Sequence, residues 1–292
     1  MIYILGNFAG VFSNVCKFLL WSILLKEEDT LLFYYTNKGL QNDNHRVLPY
    51  HEYEKELGRI FFYKYFEFPK GHAIDSFLSL SSFEMNYPSI QSSNLPTCLQ
   101  PYPNGFVFCS PNVYKDPHFS EIRKLFHEHI QRRLPFTESF RNVIEEEAEP
   151  IRRLQAQGKK ILAVFLRSTS HFQHYNTTAV FEEIQEVMKD YDYILPITQI
   201  GPFLKQTYDM FGERCIVFKD RIYFSEDKDW IQQLYTDEEF EVEFKNAILD
   251  VYLASQCSFV MGGSSNMFMG ALLFNPDVPF KLFRELEKKN GD

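Results

Sequence analysis

Apolar and polar positions divide the chain into two stretches of different regularity. Met1 to Leu5 is a nearly unbroken apolar run of strand length, and Gly6-Asn7-Phe8-Ala9-Gly10 leads from it into a helix through about Leu25. Leu31 to Tyr35 reads as a second strand. A βαβ unit is therefore expected at the start, which points to a parallel sheet with helices on its faces. Lys38 to Asn112 is aromatic and interrupted by Pro, Ser and Asn clusters, so short helices and loops are expected there, with Phe106-Val107-Phe108 as a further strand. Pro117 to Gln157 is helical and heavily charged, ends at Gly158, and carries Glu145-Glu146-Glu147 and Arg152-Arg153 as a solvated face. The domain junction is placed within this helix, giving residues 1–150 and 151–292.

Beyond Gly158 the alternation is regular. Strand Ile161 to Leu166, helix Thr178 to Lys189, strand Tyr193 to Pro196, helix Pro202 to Phe211 and strand Cys215 to Phe218 follow one another. The run AILDVYLASQCSFVMGGSSN, Ala247 to Asn266, then supplies a helix, a buried strand and a turn. Its strand, Ser258 to Met261, is short, apolar and partly β-branched, as in a parallel sheet covered on both faces. Gly262 and Gly263 would let the backbone turn tightly and approach a ligand, while Ser264 and Ser265 add hydroxyls. A helix from Met267 to Phe274 follows at once, so its free N–H groups and positive dipole end face the same spot. Such a turn at the carboxyl end of a strand suits a phosphate. It equally suits an ordinary strand-turn-helix in which Ser264 or Ser265 only caps the helix. The pattern overall is α/β, two Rossmann-like doubly wound domains facing across a cleft, with the nucleotide site in the second.

Composition narrows the chemistry. The 292 residues, 45% of them apolar and 24% charged, are enough for two medium domains. A net charge of −9 argues against general nucleic-acid binding. Cys16, Cys98, Cys109, Cys215 and Cys257 are odd in number and widely spaced, so neither a disulfide framework nor a zinc site is implied, and a reducing, cytoplasmic setting is expected. The apolar run Val15 to Leu25 holds Lys17 and is too short to span a bilayer, so it is expected to be a core helix, with no transmembrane segment.

Strand Ile161 to Leu166 runs directly into Arg167, then Ser168, Thr169, Ser170 and His171. An arginine at that strand end is placed to grip a phosphate bidentately and to neutralise charge on a departing diphosphate, although pairing with a cleft carboxylate is an equal alternative. His127 and His129 are two apart on a helix and point to different faces, which makes a poor metal pair. Asp190-Tyr191-Asp192 at a helix-to-strand turn and Asp227-Lys228-Asp229 in a charged loop resemble metal-binding DxD patterns only superficially, so no metal is expected. Gly6 to Gly10 gives neither GxGxxG nor a Walker sequence.

The segment from about Lys159 to Pro276 resembles the nucleotide-binding half of the GT-B fucosyltransferase superfamily, which holds protein O-fucosyltransferases and α1,6-fucosyltransferases including nodulation enzymes. FLRSTS, Phe165 to Ser170, sits where that family has a strand ending in HxRxxD. Tyr193 to Gly212 is similar to its strand, "TD" turn and helix ending in FG, and ILDVYLASQCSFVMGGSSN is similar to its ILDxxxLSxxDxxxxxxSS block. Gly6 to Asn14 is a weaker echo of its glycine-rich first loop.

The resemblance implies a glycosyltransferase moving fucose from GDP-fucose to a glycan acceptor, with inversion, without metal and without a cofactor. It implies that Arg167 contacts the β-phosphate and supports departure of GDP, that Asp250 reads the guanine directly or through a neighbour, and that Ser264 and Ser265 hold the diphosphate. Gly10 and Asn14 join the donor site through the first loop. Three positions depart from the pattern: Phe165 replaces the motif histidine, Ser170 its aspartate, and Gln199 the aspartate of "TD". His171 or Thr198 are the candidate substitutes for those contacts, and His171 and His174 the candidate bases for the acceptor hydroxyl, with Asn7 and Asn14 acting only by orienting it. The aromatic N-terminal half is expected to hold the acceptor. A transferase using another nucleotide sugar, and a catalytically silent nucleotide-sugar-binding protein, are the competing expectations.

Overall fold

The structure, a computed structural model, describes residues 2–5, 15, 19, 23, 30–33, 65–67, 96–99, 112–166, 177–218, 220–223 and 237–284. The chain divides into two compact units, Met1–Glu146 and Glu147–Asp292.

In the first unit β1 (Ile2–Leu5) and β2 (Thr30–Phe33) pair in parallel, in a register running from Ile2 opposite Thr30 to Leu5 opposite Phe33. Val15, Leu19 and Ile23, four residues apart and all helical, lie between them in the chain, and Val15 and Leu19 are buried. This is the expected βαβ opening, with β2 shifted towards the amino terminus. The expected strand at Phe106–Phe108 lies outside the described residues.

The single helix expected over Pro117–Gln157 is two helices: α1 (Phe119–Arg133) and α2 (Glu138–Ala156). Pro135 explains the break, because it lacks an N–H and disfavours helical geometry at the residue before it. Thr137 then restarts the helix, its hydroxyl accepting from the N–H of Phe140 at 3.3 Å. Between the helices the chain turns extended, and the Phe136 strand position bridges Phe66 in antiparallel fashion. Each helix buries one stripe: Phe119, Ile122, Phe126 and Ile130 on α1, and Phe140, Ile144, Ala148 and Ile151 on α2. Helix α2 ends where the sequence indicates. Gly158 takes φ 77°, the left-handed value that glycine tolerates best, while the N–H groups of Gly158 and Lys159 close back onto Gln155 and Leu154.

The second unit is built on a four-stranded parallel sheet in the order β4-β3-β5-β6. Its strands are β3 (Ile161–Phe165), β4 (Tyr193–Ile197), β5 (Phe259–Gly262) and β6 (Phe280–Leu282). All five residues of β3 are buried, as a central parallel strand requires. Leu162, Val164 and Leu166 pack with Val180, Phe181 and Ile184 of α3 (Thr177–Val187) and with Phe203 of α4 (Gly201–Phe211). On the alternate positions, Phe165 meets Phe268 of α6 (Asn266–Phe274) edge to face, with ring centroids 5.8 Å apart. Helix α5 (Asp237–Ser255) is the long crossover between β4 and β5. Ile248, Leu249, Val251, Leu253 and Ala254 are all buried, so its second half is enclosed on several sides rather than along the single expected stripe.

Two expectations about the sheet are corrected. Cys215–Phe218 is no strand. Only Cys215 bridges Ile194, with the N–H of Ile216 donating to the Ile194 carbonyl at 2.8 Å, after which the chain leaves the sheet. The fourth strand is instead β6, which follows Pro279 and is too short to show a hydrophobic period. At the amino-terminal edge of the sheet, Asp192 accepts from the backbone N–H of Lys160 and from Lys159 Nζ, and these bonds hold its carboxyl below the usual range. The aspartate of that DxD-like sequence is thus engaged in joining the starts of β3 and β4.

Candidate functional site

The strand order fixes where a ligand site belongs. From β3 the chain crosses through α3 to β4 on one side, and from β5 it crosses through α6 to β6 on the other. The direction of winding reverses between β3 and β5, and in open α/β sheets ligands bind outside the carboxyl ends of the strands at such a point. Phe165 is in register with Ile197 of β4 and with Gly262 of β5. Leu166, Thr198 and Gly263 therefore leave the sheet at one level, and Arg167 follows Leu166 in sequence. Arg167, His171, Gly10 and Asn14, together with Asn7 and His174, lie outside the described residues.

Gly262 has a packing role. A Cβ built on it would stand 2.9 Å from Phe165 Cβ and 2.9 Å from Phe268 Cδ2, so its hydrogen lets β5 lie against β3 and α6. The expected approach of a ligand to this glycine is corrected accordingly, since its open side is filled by phenylalanine. Ser265 is buried and is the N-cap of α6, its Oγ accepting from the N–H of Phe268 at 3.2 Å. Ser264 stands beside it, half-buried, in the turn. The amino end of α6, with this turn before it, thus opens at the carboxyl end of β5. Thr198, half-buried after β4, turns its Oγ1 to accept from the N–H of Ile200 at 3.0 Å, setting the entry to α4.

Asp250 occupies a different environment. Its Oδ1 accepts from Arg221 Nε at 2.8 Å, and the two side chains are only 18% and 6% exposed. Burial pushes the Asp250 carboxyl up to about 6, opposed by Arg221 and reinforced by Glu243 and Glu147. Arg221 also donates Nη1 to Asn246 Oδ1 at 3.3 Å and stacks its guanidinium over Phe218, 5.1 Å from the ring centroid. Its Nη2 is buried with no hydrogen-bond partner among the described residues, and Glu147 Oε2 lies 3.7 Å away. Glu147 is thus turned inward, whereas Glu145 and Glu146 are exposed as expected for the charge run.

The network continues to β4. Glu243 Oε1 accepts from the N–H of Ile222 at 3.2 Å, Glu243 Oε2 accepts from Gln199 Nε2 at 2.7 Å, and Asn246 Nδ2 donates to the Asp220 carbonyl at 3.0 Å. A continuous polar chain therefore runs from Gln199, next to Thr198, through Glu243, Asn246 and Arg221 to Asp250. Beside it Tyr223 is pushed up to about 12, first by burial and then by Asp250.

Sequence reasoning missed Arg221, Glu243 and Asn246. A signal was present: Glu243, Asn246 and Asp250 recur at i, i+3 and i+7, a polar stripe on a helix whose remaining positions are largely apolar. Arg221 has no such signature, because it reaches the helix from an irregular segment. Outside this region, His129 is buried on α1 and lowered to about 4 by burial and by Arg132 and Arg133, which keeps it neutral. Cys98, Cys215 and Cys257 are free thiols. No helix among the described residues is long and apolar enough to cross a membrane.

A scan against protein families finds no match for this sequence, and a search of curated proteins finds none. Solved structures do match. The fucosyltransferase NodZ from Bradyrhizobium aligns over 94% of this chain and 93% of its own, with 14% identity and a TM-score of 0.50. A crystal of NodZ α-1,6-fucosyltransferase soaked with GDP-fucose aligns over 94% and 92%, with 16% identity and a TM-score of 0.49. The chain is α/β, and its fold is fucosyltransferase-like.

Proposed function

We propose that this chain is a GT-B glycosyltransferase of two Rossmann-like domains, 1–150 and 151–292, that transfers fucose from GDP-fucose to a glycan acceptor with inversion and without a metal. The observation that carries the reading is the reversal of winding between β3 and β5, where the strand leading to Arg167 and the Ser264–Ser265 turn end together. The likeness of fold to a fucosyltransferase supports it. Asp250 adds chemistry suited to guanine: a carboxylate accepts from N1–H and from the exocyclic amine, which adenine does not offer in that arrangement.

In this reading Arg167, Ser264, Ser265 and the amino end of α6 bind the diphosphate, with Gly10, Asn14 and Thr198 completing the donor site. As the bond from the anomeric carbon to the β-phosphate oxygen lengthens, charge grows on GDP and Arg167 stabilises it. The acceptor hydroxyl forms the new bond from the opposite face, and His171 takes its proton. The N-terminal half holds the acceptor. The protein works in the cytoplasm, and nucleic acid is not a partner.

Calorimetry with GDP-fucose, GDP-mannose and UDP-sugars in EDTA tests the donor, and GDP release tests turnover. Selective binding of GDP-fucose with metal-independent release of GDP is expected, and Arg167→Ala is expected to lose nearly all turnover while remaining folded. Equal binding of UDP-sugars removes the donor assignment; a wild-type rate in the variant removes Arg167 from the mechanism. One observation favours a silent nucleotide-sugar-binding protein as the second reading. Phe165 is buried against Phe268 and Gln199 is bonded to Glu243, so two positions that depart from the fucosyltransferase pattern are engaged inside the protein. Tight donor binding with no release of GDP in the presence of any glycan supports that reading.

A further inference from the structure

Arg221 meets Asp250 through one short hydrogen bond, is itself held by Asn246, and stacks on Phe218. Asn246 in turn is fixed by the Asp220 carbonyl, and Glu243 fixes the backbone at Ile222, so the segment carrying Arg221 is tied to α5 on both sides of the arginine. Resting on the donor reading above, we infer that Arg221 is a positioning residue for base recognition: it holds the Asp250 carboxylate ionised and aimed, so that Asp250 can accept from the guanine edge.

The surroundings require such a cation. Asp250 is desolvated, and among the described residues the other ionisable groups facing it across α5, α2 and the 220–223 segment are Glu243, Glu147 and Tyr223, the first two of which oppose its ionisation. Among the described residues Arg221 alone favours the charged form. With Arg221 present the carboxyl titrates at about 6, so at neutral pH most of it is the acceptor that guanine needs. A protonated Asp250 presents an O–H to the guanine donors and loses the match. Arg221 therefore acts through Asp250, without touching the nucleotide.

The test is calorimetric binding of GDP and UDP to the full chain between pH 5.5 and 9, for the wild type, Arg221→Met, Arg221→Lys and Asp250→Asn. Wild-type GDP affinity is expected to fall as pH drops through about 6, and this dependence is expected to vanish in Asp250→Asn. In Arg221→Met the midpoint is expected to rise by about two pH units, which leaves roughly a tenth of the carboxyl ionised and weakens GDP binding about tenfold at pH 7, with recovery towards pH 9. Arg221→Lys, which keeps the charge and gives a folded comparison if the methionine variant does not fold, is expected to stay near the wild-type midpoint. Loss of affinity by the same factor at every pH overturns the positioning role in favour of a structural one, as does an unmoved midpoint in Arg221→Met. An Arg221→Lys midpoint displaced as far as expected for methionine also overturns it. If the wild type binds GDP no better than UDP, the donor reading fails first and this inference falls with it; if GDP is preferred but the midpoint does not move, only the inference falls.

Discussion

The hydroxyl of Ser265 already has one task, accepting from the N–H of Phe268 at the start of α6, and a diphosphate would give it a second. The two separate by substitution. Ser265→Ala is expected to cost about 1 kcal/mol in urea unfolding through loss of the cap. Ser265→Asp restores a capping acceptor and stability, yet its charge repels a diphosphate, so GDP binding should fall while the unfolding midpoint stays near wild type. Retained GDP affinity in the aspartate variant would leave Ser265 as a cap alone. At this scale the sequence was readable where a side chain acts on its own segment, as with the Ser265 cap and the Gly158 helix end. It was silent where partners are distant in sequence, as with Arg221 and Asp250, 29 residues apart.

Among the elements, β5 has the least room. Gly262→Ala would drive a methyl against Phe165 Cβ and Phe268 Cδ2, each at 2.9 Å. Overpacking of this kind is expected to cost about 1–3 kcal/mol, measured as a lowered unfolding midpoint. Adding Phe268→Leu should recover part of the loss, because the ring edge is then gone while the Phe165 Cβ is fixed to the backbone. Additive losses in the double variant would contradict this account. Strands β3, β4 and β5 were legible as buried apolar runs of standard length. The errors have physical causes: Pro135 cut a helix whose charge pattern was otherwise continuous, Cys215–Phe218 had strand composition but made only one bridge, and β6 was too short to display periodicity.

For the whole molecule, the titration of Asp250 becomes a property of folding. Its carboxyl binds a proton more tightly in the folded chain, at about 6 against an ordinary 3.8, so between these values a rise in pH releases a proton more readily from the unfolded state. Stability contributed by this group is therefore greatest below the window and is lost as pH rises through about 6. Denaturant unfolding of the wild type and Asp250→Asn from pH 4 to pH 7.5 should show the wild type losing ground steadily and then levelling off. A constant difference would show that the carboxyl is not displaced upwards. The alternation of strands and helices after Gly158 announced an α/β fold, but the strand order did not follow from it. That order depends on which edge each strand joins, and only the pairing of β3 with both β4 and β5 reveals where the winding reverses.

Gln199 and Glu243 carry a further consequence, for what position 199 can hold. An aspartate at position 199 would set one anion against another and surrender an amide donor that Glu243 now uses. The two positions therefore behave as one unit under substitution: an anion at 199 calls for a neutral or donating partner at 243.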